Sequence, residues 1–292
     1  SQEIKSFKTE KAFYEFLGLD WIPPEIRENQ GEIEKAIKHE LPKLIELSDI
    51  KGDLHIHSNY QIDSSHDYGN ASMQKMIDRA RALNYDFIGF SEHNPAIRDR
   101  PKSEIYSILS NRMEYIEQLK KSNKSIRILN LLETDILANG ELAIDDKAFE
   151  YVDASIVSIH SSFGMTKEKM TKRILRGMSH PKAKILAHPT GRLINQRAGY
   201  DLDWEELFDF VSSNNRAIEI NAWPTRLDLP DDLVKDAKSR GVKFVINTDS
   251  HALNHMDNMF YGVAVARRGW CEKKDILNAL SAEKFGEWVN SI

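Results

Sequence analysis

Cysteine is almost absent from this chain: Cys271 is the single thiol among 292 residues. One thiol excludes a disulfide framework and any Cys-based zinc site, and it fits a reducing compartment. Long apolar runs are missing too, since no stretch reaches the roughly 18 residues needed to span a bilayer. The first residues also lack the basic-then-apolar order of a secretory signal. The expectation is a cytoplasmic protein with no membrane partner. Positive charge is not in excess, because Lys+Arg 40 stand against Asp+Glu 45 for a formal net charge of -5. The molecule as a whole is therefore no electrostatic magnet for nucleic acid, which leaves only a local basic patch to serve that purpose. No low-complexity tract or fixed-period repeat occurs. With 41% hydrophobic and 29% charged residues, the composition is that of an ordinary soluble protein. Its length suits one large α/β domain, or a domain with an appendage.

What the chain does have is histidine in significant places. Near the start lies Asp53-Leu54-His55-Ile56-His57-Ser58, and near the end Asn247-Thr248-Asp249-Ser250-His251. Side chains two apart on a strand face the same way, so His55 with His57, and Asp249 with His251, can each grip one metal ion. A lone His-x-His on an apolar strand is often chance. Two such pairs flanking single His and Glu residues at the ends of apolar runs point to metal, because these groups are costly to bury without partners.

From residue 50 onward, short β-rich runs alternate with helical ones, the pattern of a parallel sheet with helices around it. Strands are expected near Gly52 to His57, Phe87 to Ser91, Ile126 to Glu133, Ala154 to His160, Ile185 to His188, Ala217 to Asn221 and Lys243 to Asn247. Helices are signalled after Asn70, Pro101, Asp203 and Pro230, the last stopped by Gly241. His57, His93, Glu133, His160, His188 and Asp249 all fall at or just past the carboxyl end of a strand, where (β/α) barrels assemble their active sites. Seven units rather than eight indicate an incomplete or distorted barrel, with a doubly wound open sheet as the alternative. Residues 1–50 differ: Phe13, Phe16, Leu17, Leu19 and Trp21 precede Pro23-Pro24, then Ile33, Ile37, Leu41, Leu44 and Leu47 recur at helical spacing. They read as a helical lead-in or linker with no nameable chemistry.

The motifs Asp-Leu-His-Ile-His-Ser, Ser91-Glu92-His93-Asn94, Leu132-Glu133-Thr134-Asp135, Ser158-Ile159-His160, Ala187-His188-Pro189-Thr190-Gly191-Arg192 and Asn247-Thr248-Asp249-Ser250-His251 occur in one order. Together they resemble the polymerase-and-histidinol-phosphatase (PHP) family, most closely the C-terminal PHP domain of bacterial and archaeal family X DNA polymerases. Trp21-Ile22-Pro23-Pro24-Glu25, Gly31-Glu32-Ile33-Glu34, Ile50-Lys51-Gly52-Asp53, Glu219-Ile220-Asn221-Ala222 and Arg226-Leu227-Asp228-Leu229 extend the likeness over nearly the whole chain. The resemblance implies a distorted (β/α)7 TIM-like barrel over residues 51–292, preceded by the short helical extension 1–50. It also implies a trinuclear site with nine ligands: His55, His57, Asp63, His93, Glu133, His160, His188, Asp249 and His251. In the loop Gln61-Ile62-Asp63-Ser64-Ser65-His66-Asp67, His66 and Asp67 are rivals to Asp63. An upstream polymerase module is a further implied partner; no helix-hairpin-helix or nucleotidyltransferase segment is present in this sequence, which reads as a cut-out domain or a freestanding relative.

Imidazoles and carboxylates without thiolates suit manganese, zinc or iron, so the expected cofactors are three divalent ions. Such ions clamp a phosphoryl group and activate water, with Glu133 as a natural bridge and no Ser or Cys nucleophile required. Glu133, His160 and Arg192 are the expected catalytic residues. Substrate contacts are expected from Arg192, which follows His188-Pro189 and has a bidentate guanidinium, and more weakly from Arg226, for which a structural pair with Asp228 is the alternative. Lys169, Lys172 and Arg173, in the basic stretch from Lys167 to Arg197, either meet a polynucleotide backbone or form a solvated helix face. Three readings follow: a DNA phosphodiesterase of the 3′–5′ exonuclease type used in DNA repair, a small-molecule phosphomonoesterase of the histidinol-phosphatase type, and a non-enzymatic domain that holds a partner. Retention of all nine ligand positions counts against the last. His39, His180 and His255 read as surface or capping histidines, Trp204, Phe208 and Phe210 as helix core, and Cys271 as a buried thiol.

Overall fold

The structure, a computed structural model, describes residues 5–291. Seven strands make one sheet: β1 (Gly52–Asp53), β2 (Phe87–Phe90), β3 (Arg127–Asp135), β4 (Ala154–Ser158), β5 (Ala183–Leu186), β6 (Ala217–Asn221) and β7 (Lys243–Asn247). They lie side by side in chain order and every pair is parallel. Parallel neighbours need a crossover, and α-helices fill all the connections except that between β3 and β4, which holds only a 3-10 turn at Ala148–Tyr151. In chain order the α-helices are α1 (Glu10–Phe16), α2 (Glu32–Ile37), α3 (Met73–Ala82), α4 (Lys102–Ser122), α5 (Lys167–Met178), α6 (Trp204–Ser213), α7 (Asp231–Ser239), α8 (Met259–Arg268) and α9 (Ala282–Asn290). Among the described residues no helix is long and apolar enough to cross a membrane.

The sheet curls until its ends nearly meet, so the barrel prevails over the open sheet. β1 is shorter than the expected run, because beyond Asp53 the regular ladder gives way to bonds on both sides: Ile56 O accepts from Ser91 N, just past β2, at 2.9 Å, while its neighbours bond to the loop after β7. Ile56 pairs with Ser250 in a parallel bridge; His57 N donates to Ser250 O at 2.8 Å and Ser250 N to His55 O at 3.1 Å. The Asn247 side chain supplies the missing acceptor for Leu54 N at 3.1 Å. Seven parallel strands therefore form a nearly closed, TIM-like α/β barrel with its seam between β1 and β7.

Strand periodicity explains where polar groups gather. Leu129 and Leu131, Ala154 and Ile156, Ala217, and Val245 belong to one buried apolar cluster filling the barrel. Continuing each series by twos reaches Glu133, Ser158, Glu219 and Asn247, all buried. The same inward faces that are apolar toward the amino ends thus become polar at the carboxyl ends. Phe285 of α9 closes the apolar end, its ring 4.7 Å from that of Phe87.

Helix starts follow local chemistry. The side chains of Ser72, Thr166 and Asp203 accept from the third residue onward, at Lys75, Lys169 and Glu206, so the cap of α3 is Ser72 rather than the expected Asn70. Gly241 takes φ +81 after α7, a conformation that costs glycine little. Over residues 5–50, Ile22, Ile26, Ala36 and Leu44 pack with Trp270. The helical spacing does not continue to Leu47: the backbone turns left-handed at His39 (φ +57), Pro42 follows, and Ile33, Ile37 and Leu47 stay exposed.

Candidate metal centre

At the carboxyl end of the barrel, seven histidines and several carboxylates converge, carried by elements distant in sequence. The two His-x-His-like pairs meet across the seam: His55 Nε2 and His57 Nε2 lie 3.4 and 3.3 Å from Asp249 Oδ1. Glu133, at the end of β3, is the centre. Its Oε2 is 3.2, 3.4 and 3.0 Å from ring nitrogens of His55, His57 and His93. Its Oε1 is 3.1 Å from His188 Nε2 and 3.4 Å from His160 Nε2. The backbone holds two of these residues in strained form, His188 at φ +28 and Asp249 at φ +54, which outside glycine is uncommon and typical of functional sites.

The donors suit divalent cations. His55 Nε2, both ring nitrogens of His57, His93 Nδ1, Glu133 Oε2, His188 Nδ1 and His251 Nε2 are buried with no hydrogen-bond partner. Such orphans are costly unless something satisfies them. Donor atoms of His55, His57 and Asp249, of His57, His93 and His251, and of Glu133, His160 and His188 each lie within 4.8 Å of one another. All are N or O donors, the set that fits zinc, iron or manganese.

Electrostatics divides the imidazoles. Burial, aided by the neighbouring His93, pushes His57 down to about 3; burial and the Arg226 charge push His188 down to about 4. Both are neutral at pH 7 with a lone pair to give. Burial acts to lower His93 as well, yet the Glu133 carboxylate and Asp67 outweigh it and raise His93 to about 10. His55 is likewise raised despite burial, by Asp249, Glu219 and Glu133. The reciprocal effect holds Glu133 and Asp249 well below the ordinary carboxylate range despite burial, chiefly through His93 and His55 for the first and His55 for the second. A cation entering this cluster takes over the neutralising role that these protons otherwise play.

Behind the convergent groups stands a second set that the sequence reading did not single out. Glu219, fully buried on β6, accepts from His55 Nδ1 at 2.8 Å. Asp135, one strand-step beyond Glu133, accepts from His160 Nδ1 at 2.7 Å and His66 Nε2 at 2.9 Å. Asn221 Nδ2 reaches Asp249 Oδ2 at 3.2 Å. Both Glu219 and Asp135 occur in motifs quoted for the family likeness; the usable signal was a carboxylate inside or just past an apolar strand. A buried Glu92–Arg112 pair anchors the wall, with Arg112 also donating to Phe90 O at 3.0 Å and Glu92 accepting from Ser58 N at 3.1 Å. Removing one partner of such a pair costs about 3–5 kcal/mol.

Several expected positions are corrected. Asp63 is not in the cluster: its carboxylate faces Arg100, 3.8 Å away, and not the histidines. The reason is the loop backbone, left-handed at Asp63 (φ +53) and pinned by a Ser64–Pro95 bridge. Asp67 points in instead, 3.5 Å from His93 Nε2 and 3.4 Å from His251 Nε2, with His66 beside it. Arg173 is not a substrate contact, because it is buried and donates to the carbonyls of Ile136, Leu137 and Ser161. Lys169 and Lys172 are exposed on α5, Lys172 paired with Glu168 at 2.6 Å, and neither lines the mouth. Arg192 does not enter the mouth either; its guanidinium donates to the carbonyls of Arg226 and Leu227. Arg226 is the arginine that does, with Nε 3.5 Å from Asp249 Oδ2. Its supposed partner Asp228 accepts instead from the backbone of Thr190 and Gly191. His255 is no remote surface group: its Nδ1 accepts from His251 N at 3.2 Å and its ring meets that of Trp223 at 4.6 Å. His39 is exposed beside Asp20, and His180 packs on Phe149 at 4.2 Å.

The mouth is a cavity of about 350 Å³ whose rim includes Leu193, Trp223, Arg226 and His255 above the His, Asp and Glu cluster. That is near the lower end of small-ligand sites.

Comparison with known proteins agrees with this architecture. The family model described as the PHP domain matches residues 53–222. The DNA polymerase/3'-5' exonuclease PolX of Bacillus subtilis (strain 168) is 38% identical over 279 residues, covering 96% of this chain and 47% of that protein. The chain thus spans about half the length of that relative. A "Probable phosphatase" of Clostridium acetobutylicum is 27% identical over 208 residues, covering 68% of this chain and 78% of the relative. Among solved structures, a candidate histidinol phosphatase, hisK, of Listeria monocytogenes shares the fold with a TM-score of 0.50 at 16% identity, covering 70% of this chain and 97% of that one. With a family match over more than half its length laid on this seven-stranded barrel, the chain belongs to the PHP domain family.

Proposed function

We propose that the chain is a metal-dependent phosphoesterase that hydrolyses DNA phosphodiesters, of the 3′–5′ exonuclease type, in the reducing cytoplasm that its lone buried Cys271 suits. The observation that carries the substrate class is the 38% identity to a polymerase/exonuclease over 96% of this chain, a match that takes in most of residues 1–50. The phosphatase relative covers less of the chain at lower identity. The ligand set we assign is His55, His57, Asp67, His93, Glu133, His160, His188, Asp249 and His251, holding three divalent ions.

Bound in such a site, divalent ions polarise a phosphoryl group and bring the ionisation of water close to neutral pH. The chain's own residues do the rest. Glu133 turns its two oxygens to different groups of imidazoles, which suits a carboxylate shared between ions. Asp135 fixes His160 with Nδ1 as donor, so that Nε2 faces the centre. Arg226, the cation of the mouth, orients the scissile phosphate and offsets the charge that grows on it. Leu193 and Trp223 bound the cavity and limit water. An upstream polymerase module, as in the relative's name, is the partner this reading anticipates.

The test is degradation of end-labelled single-stranded DNA with manganese, against release of phosphate from histidinol phosphate. Shortening from the 3′ end, abolished by a chelator, is the expected result. Turnover of histidinol phosphate with no nuclease activity across manganese, zinc and iron overturns it in favour of a monoesterase, which the small cavity would accommodate.

A further inference from the structure

We propose that His66 is an additional metal ligand, so that His66, His93 and His160 present a three-imidazole cradle beyond the nine positions that the family pattern implies. The proposal rests on the reading of the cluster as a metal centre and extends it. Three observations carry it. Donor atoms of the three imidazoles lie within 4.8 Å of one another, and the His66 ring is 4.6 Å from that of His93 and 4.7 Å from that of His160. One carboxylate clamps two of them, since Asp135 accepts from His66 Nε2 at 2.9 Å and from His160 Nδ1 at 2.7 Å. A histidine that donates one ring N–H to a carboxylate offers the other nitrogen as a lone pair, which is the usual arrangement of a metal-ligating imidazole. For His66 that nitrogen is Nδ1.

The loop is built to hold His66 still. Ser64 N donates to Tyr68 Oη at 2.9 Å, His66 N donates to Ser64 Oγ at 3.0 Å, and the Ser64–Pro95 bridge fastens the turn. His66 keeps a side-chain exposure of 25% and Asp135 one of 21%, so both border the mouth rather than the packed interior. The loop therefore delivers two adjacent donors, His66 toward His160 and Asp67 toward His93 and His251. The chemical consequence is selectivity. Three imidazoles at one position favour zinc or iron, whereas a carboxylate-rich position favours manganese or magnesium.

Metal-free wild type, His66→Ala and His66→Asp are loaded separately with zinc and with manganese. Ions per chain are counted by mass spectrometry after desalting, and affinity is read by competition with a chromogenic chelator. His66→Ala is expected to weaken zinc binding at one position by about 10-fold or more, with a smaller change for manganese. His66→Asp is expected to shift the zinc-to-manganese preference toward manganese. Circular dichroism serves as the fold control, and the partly exposed position of His66 at the mouth makes the Asp variant a soluble fallback. Wild-type zinc stoichiometry and affinity in the folded His66→Ala variant, or an unshifted zinc-to-manganese preference in His66→Asp, overturns the assignment of His66. A wild type that retains no ion overturns the metal centre itself, a distinguishable result.

Discussion

Glu219→Gln separates orientation from ligation, because Glu219 touches no proposed ion and yet fixes a proposed ligand. Its Oε1 accepts from His55 Nδ1 at 2.8 Å and Asn247 Nδ2 at 2.9 Å; its Oε2 accepts from His188 N at 2.7 Å and Asn221 Nδ2 at 3.1 Å. Four donors thus converge on one fully buried carboxylate. Glutamine has nearly the same shape and only one oxygen, so either orientation sets an NH2 group against two donors. Each buried donor without an acceptor costs about 1–3 kcal/mol, which sums to a loss of about 2–6 kcal/mol. If the oxygen faces His188 N, the NH2 faces His55 Nδ1 and forces the other tautomer. The proton then sits on Nε2, the atom aimed at Glu133 and Asp249, and the lone pair is lost to any cation. Zinc affinity is expected to fall about 10–100-fold, measured by chelator competition, alongside the stability loss in urea melts of the metal-free protein. Glu141→Gln, an exposed carboxylate paired with Arg176, is the control and stays within about 0.5 kcal/mol. Wild-type zinc affinity in a folded Glu219→Gln variant refutes the orienting role.

Arg226→Ala is expected to lower kcat on single-stranded DNA by about 10²–10³-fold, the scale of a lost transition-state donor, while Arg192→Ala lowers thermal stability and affects kcat only through the loosened loop; equal kcat for Arg226→Ala and wild type excludes Arg226 from the chemistry. Arg173→Ala strands three carbonyl acceptors and is expected to cost about 2–5 kcal/mol in urea melts, whereas Lys169→Glu with Lys172→Glu leaves both stability and the salt dependence of DNA binding unchanged; a flattened salt slope in that pair restores the lysines as phosphate contacts. Burial raises Asp228 to about 6 in the folded chain despite its backbone donors and nearby arginines. The folded state therefore binds more protons than the unfolded one between about pH 4 and 6, and stability falls as pH rises through that window. Asp228→Asn keeps an oxygen for Thr190 N and Gly191 N and removes that fall, so the stability difference between pH 4.5 and pH 7 measured by urea melts shrinks relative to wild type; an undiminished difference assigns the slope to other groups.

How much was legible beforehand depended on whether geometry was local. His55 with His57 follows from the two-residue period of an extended chain, and Glu133, His93, His160 and His188 follow from their place at strand ends. Both need only a few residues of context. Asp63 against Asp67 could not be decided that way, because a single left-handed residue and a bridge to Pro95 turn one carboxylate out and another in. Arg192 against Arg226 failed for a related reason: the loops after β5 and β6 fasten to each other, and that pairing consumes one guanidinium while freeing its neighbour. The role of Glu219 depends on His55, which is 164 positions away. Arg173 looked like part of a basic face, yet α5 turns it toward carbonyls beyond β3. The barrel itself was readable, except for the shortening of β1 beyond Asp53.

That seam also fixes an order of events. His55 and His57 come from the extension just past the first strand, Asp249 and His251 from just past the last, and the bonds that close the seam are long-range, that from Leu54 to Asn247 spanning 193 positions. Closing so long a loop costs chain entropy before any contact repays it, and non-local pairing of this kind is slow. A ribosome that has not yet released residue 251 carries a chain whose early histidines have no counterpart. Ions added during refolding should accordingly act late, as a clasp on a ring already bent, and slow its opening more than they hasten its formation.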